Sequence, residues 1–207
     1  MTAARIAPLF LSFALAACVA APAGEAPATG GEVQPAAFAV ARPDLGRAAA
    51  ALPAQAAGFA RGQIADLERR YPGRGVSIDY ATADRSAAAT VAIYDLGQRS
   101  VPADPDSPAQ RAEFDAAVSE LLSLPPERTG RRFSERDRFR LPVAGGPPFA
   151  CADLDGVLGR NPVRQTVCVG GAQGRFVKVQ VMMLAREPLA ADARAFAAEI
   201  GRAARGR

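Results

Sequence analysis

Between residues 59 and 204 the spacing of apolar positions changes several times, and each change marks an element. Phe59, Gln63/Ile64, Leu67 and Tyr71 fall at helical spacing, and Pro72-Gly73 then stops the run, which predicts a first helix. Val76-Ser77-Ile78-Asp79-Tyr80 and Thr90-Val91-Ala92-Ile93-Tyr94 alternate at period two around a polar turn at Asp84-Arg85-Ser86, which predicts an antiparallel strand pair. Pro102, Pro105 and Pro108 mark a loop. Ser107-Pro108 then opens a helix carrying Phe114, Val118, Leu121 and Leu122, and Pro125-Pro126 closes it. Segments 132 to 141, 149 to 158, 163 to 169 and 176 to 184 read as strands. After Glu187-Pro188, residues 190 to 204 read as a helix burying Ala193, Phe196, Ala197 and Ile200.

Adjacent hairpins mixed with helices argue for an antiparallel sheet with helices packed on it rather than a parallel nucleotide-binding fold. The expected class is α+β, with about five to six strands flanked by three helices, in a single domain over 58 to 205. This order of elements over 59 to 205 is similar to that of PsbP-like domains and of bacterial lipoproteins built like them. Residues 19 to 57 hold Pro22, Pro27, Pro35, Pro43 and Pro53 among alanines and glycines without a sustained apolar period, the composition of a flexible tether. A short alanine-favoured helix over 47 to 51 is compatible with that segment, although isolated helices of this length are marginal in water.

The first residues change the picture from a free domain to an anchored one. Arg5 precedes the run Ile6-Ala7-Pro8-Leu9-Phe10-Leu11-Ser12-Phe13-Ala14, and Leu15-Ala16-Ala17-Cys18 follows. Charged, apolar and small-residue zones in that order make a signal peptide over 1 to 17. At roughly 8 to 12 apolar residues it is too short to span a hydrocarbon layer of ~30 Å. Leu15-Ala16-Ala17-Cys18 resembles the lipobox of bacterial lipoproteins. That resemblance implies lipidation of the Cys18 thiol, removal of the leader and acylation of the new N-terminus by fatty acids such as palmitate. Several acyl chains would hold the protein stably at a membrane. Val19 rather than Asp after the cysteine implies the outer membrane, facing the periplasm. An ordinary signal peptide, cut after an A-x-A stretch with Cys18 incidental, is the competing reading.

In an exported chain with Cys18 taken by lipid, Cys151 and Cys168 remain as an even pair, and a disulfide is expected. A two-residue turn at Gly159-Arg160, with Gly first as type II′ requires, makes paired residue numbers sum to 319 and sets Cys151 opposite Cys168. That pair is non-hydrogen-bonded, so its side chains approach closely; Pro162 costs no ladder bond and Asp155 faces Arg164. Ala150 with Val169, Ala152 with Val167 and Gly156 with Val163 then form an apolar face, with the disulfide on the more polar side. A redox pair is the alternative, but C-x-x-C spacing is absent.

Charge and composition limit the chemistry. The chain has 25 basic and 21 acidic residues, a formal charge of +4, and Lys178 is its one lysine. Loss of Arg5 with the leader leaves +3, so the mature protein is weakly basic. Histidine is absent, which removes Ser-His-Asp and Cys-His catalysis and every imidazole metal site. Lys178 sits in a predicted strand without an S-x-x-K arrangement. Asp153-Leu154-Asp155-Gly156 opens like a calcium loop, but Arg164 stands where a bidentate Glu is needed. Gly170 to Gly174 lacks the Lys-Ser/Thr of a phosphate loop and reads as a hairpin turn. Asp79, Asp95 and Asp153 could converge as a carboxylate site. No catalytic residue, cofactor, metal ligand or nucleic-acid partner is assigned.

Six arginines crowd 128 to 140. At strand period Arg136, Arg138 and Arg140 share one face, opposite Asp137, Phe139 and Leu141. They are either a solvated face neutralised by Glu127, Glu135 and Asp137, or a guanidinium contact for an anionic envelope component such as lipid headgroups or an acidic protein. The expected function is that of a non-catalytic envelope lipoprotein whose domain binds a protein or stabilises an assembly. A small-ligand domain is the alternative, and a hydrolase using carboxylates alone is a third reading.

Overall fold

The computed structural model describes residues 42 to 206. Cys18, the leader and most of the expected tether lie outside the described residues. Eight antiparallel strands form one sheet in the order β1-β2-β3-β4-β8-β7-β6-β5. They are β1 (Gln55–Ala56), β2 (Phe59–Asp66), β3 (Val76–Thr82), β4 (Ala87–Tyr94), β5 (Arg131–Leu141), β6 (Phe149–Leu158), β7 (Asn161–Ala172) and β8 (Arg175–Leu184). Among the described residues four helices accompany them: α1 (Leu45–Ala50), α2 (Pro108–Leu122), α3 (Pro126–Thr129) and α4 (Ala193–Ala204). The α+β class stands, with a sheet larger than the expected five to six strands.

Of the two extra strands, β2 replaces the expected first helix and β1 falls in the expected tether. Phe59 to Asp66 is β2, paired with β3 from Phe59↔Thr82 to Asp66↔Val76. A helix would have buried Phe59, Ile64 and Leu67 together, yet Phe59 is fully buried and Ile64 is 49% exposed. Gly62 weakens a helix by ~1 kcal/mol against alanine. It also accommodates the register shift between Arg61 and Ile64. The open edge of β3 offers a ladder of hydrogen bonds that a lone helix lacks, so pairing overrides the local period.

Order also begins before residue 58. The Asp44 carboxylate accepts the Arg47 N–H at the start of α1, and Ala49 and Leu52 are buried. Residues 45 to 56, expected in the tether, therefore belong to the folded domain.

The helices cover the sheet unequally. On one face α1 and α4 close a core built on Phe59, Ile78, Val91, Phe149, Val179 and Phe196. Phe196 stands 4.6 Å from the Phe59 ring and 5.1 Å from the Tyr80 ring, between centroids. The Asp192 carboxylate accepts the N–H groups of Arg194 and Ala195 and so sets where α4 starts. On the other face α2 buries Gln110, Phe114, Ala117, Val118 and Leu121 against a second core with Phe133, Leu154, Val167 and Phe176. β7 is covered on both sides, so its residues from Gln165 to Ala172 are all buried. This explains why its sequence lacks clean alternation.

Gly170 and Gly171 lie inside β7 rather than in a turn. A Cβ on Gly170 would come within 1.9 Å of the Phe149 ring. The turn itself is Gln173-Gly174, both left-handed at φ 49° and 73°, as a tight type I′ hairpin needs.

Candidate functional site

The β6–β7 hairpin follows the expected register without a slip, from Ala150↔Val169 to Leu158↔Asn161. Gly159 takes φ 61° at the turn. Cys151 and Cys168 form a disulfide with their Cα atoms 4.1 Å apart. Both cysteines are fully buried in the core beneath α4, while the same face carries Asp153, Asp155, Arg164 and Thr166 towards the hairpin tip.

The arginine stripe does not survive as one face. Glu135 pairs with Leu154 and Asp137 with Asp153, so Arg136 is the extra residue of a β-bulge. Strand parity shifts by one residue there. Arg138 opposes Ala152 and Arg140 opposes Ala150, both on the α2 face, while Arg136 lines a cavity on the α4 face. A bulge inserts one residue with little trace in composition, so period-two counting runs straight through it.

Arg138 and Arg140 are engaged. The Arg138 guanidinium donates to both Glu135 oxygens at 2.7 and 3.1 Å and to Asp115 of α2 at 2.6 Å, and lies 5.2 Å from the Phe114 ring centre. Its hydrogen bonds hold the Glu135 carboxyl below the usual carboxylate range. Arg140 pairs with Asp106, in the loop before α2, at 2.5 Å. These exposed pairs, each worth ~0 to 1 kcal/mol, orient α2 on the edge strand more than they stabilise it.

Arg136 has a different neighbourhood. A cavity of ≈540 Å³ opens between β6, β7 and the start of α4, lined by Arg136, Asp153, Arg164, Thr166, Leu189 and Arg194 among others. Inside it Asp153 is satisfied on both oxygens, accepting Thr166 Oγ1 at 2.7 Å and an Arg194 N–H at 2.7 Å. The Arg194 guanidinium also covers the Phe139 ring at 3.8 Å. Arg164 reaches Asp155 at 3.8 Å and Glu187 at 3.4 Å, and its Nε is buried with no hydrogen-bond partner among the described residues. Arg136 is exposed and makes no ion pair among the described residues. The chemistry on offer is the reception of a carboxylate or similar anion by guanidinium donors.

Other candidate groups lie apart. Asp79 sits on β3 on the face opposite Asp153 of β6, with β4, β8 and β7 between them in the sheet. Asp95 is tied to the Gly97 N–H at 2.8 Å and to Arg42 at 3.3 Å. The three acids do not converge. Lys178 pairs with Glu120 of α2 at 3.4 Å. Asp153 and Asp155 belong to the middle of β6, where their partners are arginines. The Asp153–Thr166–Arg194 network was not legible beforehand. Thr166 opposite Asp153 was implicit in the hairpin register, but nothing local points to Arg194, 41 residues away.

Among the described residues no helix is long and apolar enough to cross a membrane. No protein-family model matches the chain, and no curated protein matches it. Among solved structures the chain is similar to the solution structure of cyanobacterial PsbP (CyanoP) from Synechocystis sp. PCC 6803. The match has 12% identity and a TM-score of 0.39, and covers 62% of this chain and 82% of that one.

Proposed function

We propose that the protein is a non-catalytic binding module of the bacterial envelope, anchored by lipid on Cys18 at the outer membrane, that receives an acidic segment of a protein partner at the Arg136 cleft. One observation carries the reading. The bulge places an unpaired guanidinium over a cavity whose other charges already have partners. A carboxylate entering there gains a charge-assisted hydrogen bond without displacing an existing pair. Asp153, bound on both oxygens, acts as a brace that orients Arg194.

The test replaces Leu189, on the cleft rim, with a photoreactive residue in cells and looks for a crosslinked protein. A specific adduct that disappears with Arg136→Glu is the expected result. An adduct indifferent to Arg136→Glu, or equally strong from Leu122 on the exposed side of α2, overturns it. A small anionic ligand is the second reading, favoured by a cavity volume inside the usual ligand range. Native mass spectrometry of the purified protein, showing a small bound mass lost in Arg136→Glu, would select it.

A further inference from the structure

A second surface lies away from the cleft, where β2 turns into β3 and β4 leaves the sheet. Two loops, 67 to 75 and 95 to 99, touch there: the Leu96 N–H donates to Gly73 O at 2.8 Å and the Asp95 N–H to the same oxygen at 3.4 Å. A Cβ on Gly73 would meet Gly97 N at 2.7 Å, so the loops are in intimate contact. They form one patch.

The patch presents apolar side chains and positive charge together. Tyr71 is 51% exposed and Leu96 is 44% exposed, which makes them two of the large hydrophobic side chains the fold leaves in water. Arg69, Arg70, Arg74 and Arg99 are all exposed around them. Arg70 stacks over Tyr71 at 5.4 Å from the ring centre, and the side chains of the other three make no hydrogen bond or ion pair among the described residues. The nearby acids keep their charge but are held by other groups, not by these arginines. Both oxygens of Glu68 accept N–H groups of Gly73 and Gly75, which lowers its carboxyl pKa. Asp66 accepts the Glu68 N–H, and Asp95 serves Gly97 and Arg42.

The chain also enters the domain at this end. Arg42, the first described residue, donates to Gln98 O and Gly174 O and pairs with Asp95, while Arg175 of β8 donates to Pro43 O. The preceding 41 residues therefore join the domain beside the patch, whatever course they take.

We propose that loops 67 to 75 and 95 to 99 dock on an anionic lipid bilayer, with Tyr71 and Leu96 entering the headgroup layer and Arg69, Arg70, Arg74 and Arg99 meeting lipid phosphates. An aromatic and an aliphatic tip among arginines suits the interface better than it suits water. The site shares no residue with the Arg136 cleft, so either can fail without the other.

The experiment uses the full chain carrying Cys18→Ser, which removes acylation, and cosedimentation with vesicles of phosphatidylcholine alone or mixed with phosphatidylglycerol. Binding should require phosphatidylglycerol and weaken with salt. Each arginine contributes about fivefold to partitioning. Arg69→Glu/Arg70→Glu/Arg74→Glu/Arg99→Glu should therefore lose at least a hundredfold. Should that variant misfold by circular dichroism, Arg69→Gln/Arg99→Gln should lose roughly 25-fold by the same scale. Tyr71→Ser/Leu96→Ser should lower binding at unchanged salt dependence, and Arg136→Glu should leave it alone. Equal binding to both vesicle types, no binding to either, or arginine variants that bind like the parent would each overturn the proposal. In the last case the leader or another surface holds the lipid.

Discussion

The disulfide gives the sharpest quantitative handle on this fold. Cys151 and Cys168 are 17 residues apart. In the chain-entropy model closing a loop of that length removes enough freedom from the unfolded chain to stabilise the native state by about 3 kcal/mol. The bond joins a non-hydrogen-bonded pair in a hairpin whose ladder is complete on either side, so the native state has no need to rearrange around it. For a domain of this size 3 kcal/mol corresponds to roughly 6 to 12 °C in Tm. The assay is urea unfolding and thermal melting of mass-verified oxidised and reduced protein of identical sequence. Because both sulfurs are fully buried, reductant should act only through opened molecules, and reduction under native conditions should be slower than in urea. A stability difference below ~1 kcal/mol between the two forms would refute the loop-closure account. It would mean that the unfolded chain already keeps this hairpin closed.

Three further outcomes follow from the packing and the buried groups. Phe196→Ala, which empties the space between Phe59 and Tyr80, should cost about 3 to 5 kcal/mol in chemical denaturation. Gly170→Ala should cost about 1 to 3 kcal/mol by forcing the Phe149 ring aside, and Gly170→Ala/Phe149→Leu should recover part of that loss in the same assay. The Tyr94 phenol donates to Glu113, and burial followed by that carboxylate pushes its pKa well above the ordinary value. Its stabilising contribution is therefore complete below the unfolded value near pH ~10 and is lost as pH rises towards the folded value. Tm measured against pH should fall more steeply above that point in the parent than in Tyr94→Phe.

Local pattern was sufficient wherever one chemical signal dominated. The Ser107-Pro108 start and the spacing of Phe114, Val118 and Leu121 specify α2, and the spacing of Ala193, Phe196, Ala197 and Ile200 specifies α4. The Gly159 turn, Pro162 and the two cysteines specify the β6–β7 register, because a one-residue slip would break all three agreements at once. The absence of histidine, likewise, is a property of composition alone.

Tertiary structure decided the rest, for two physical reasons. A short apolar segment such as 59 to 66 takes the state that satisfies its neighbours, and the unpaired edge of β3 made it a strand in spite of its helical spacing. Faces are decided by what covers them. Helices on both sides of β7 put the disulfide in the core, and a single inserted residue at Arg136 sent one arginine to the α4 face and left Arg138 and Arg140 bound to acids by α2. Residue order along the chain carries the hairpins and helix starts, because those depend on neighbours a few positions away. The charge that remains free at Arg136, and on the loops bearing Arg69 and Arg99, depends on which distant acids the fold brings within reach.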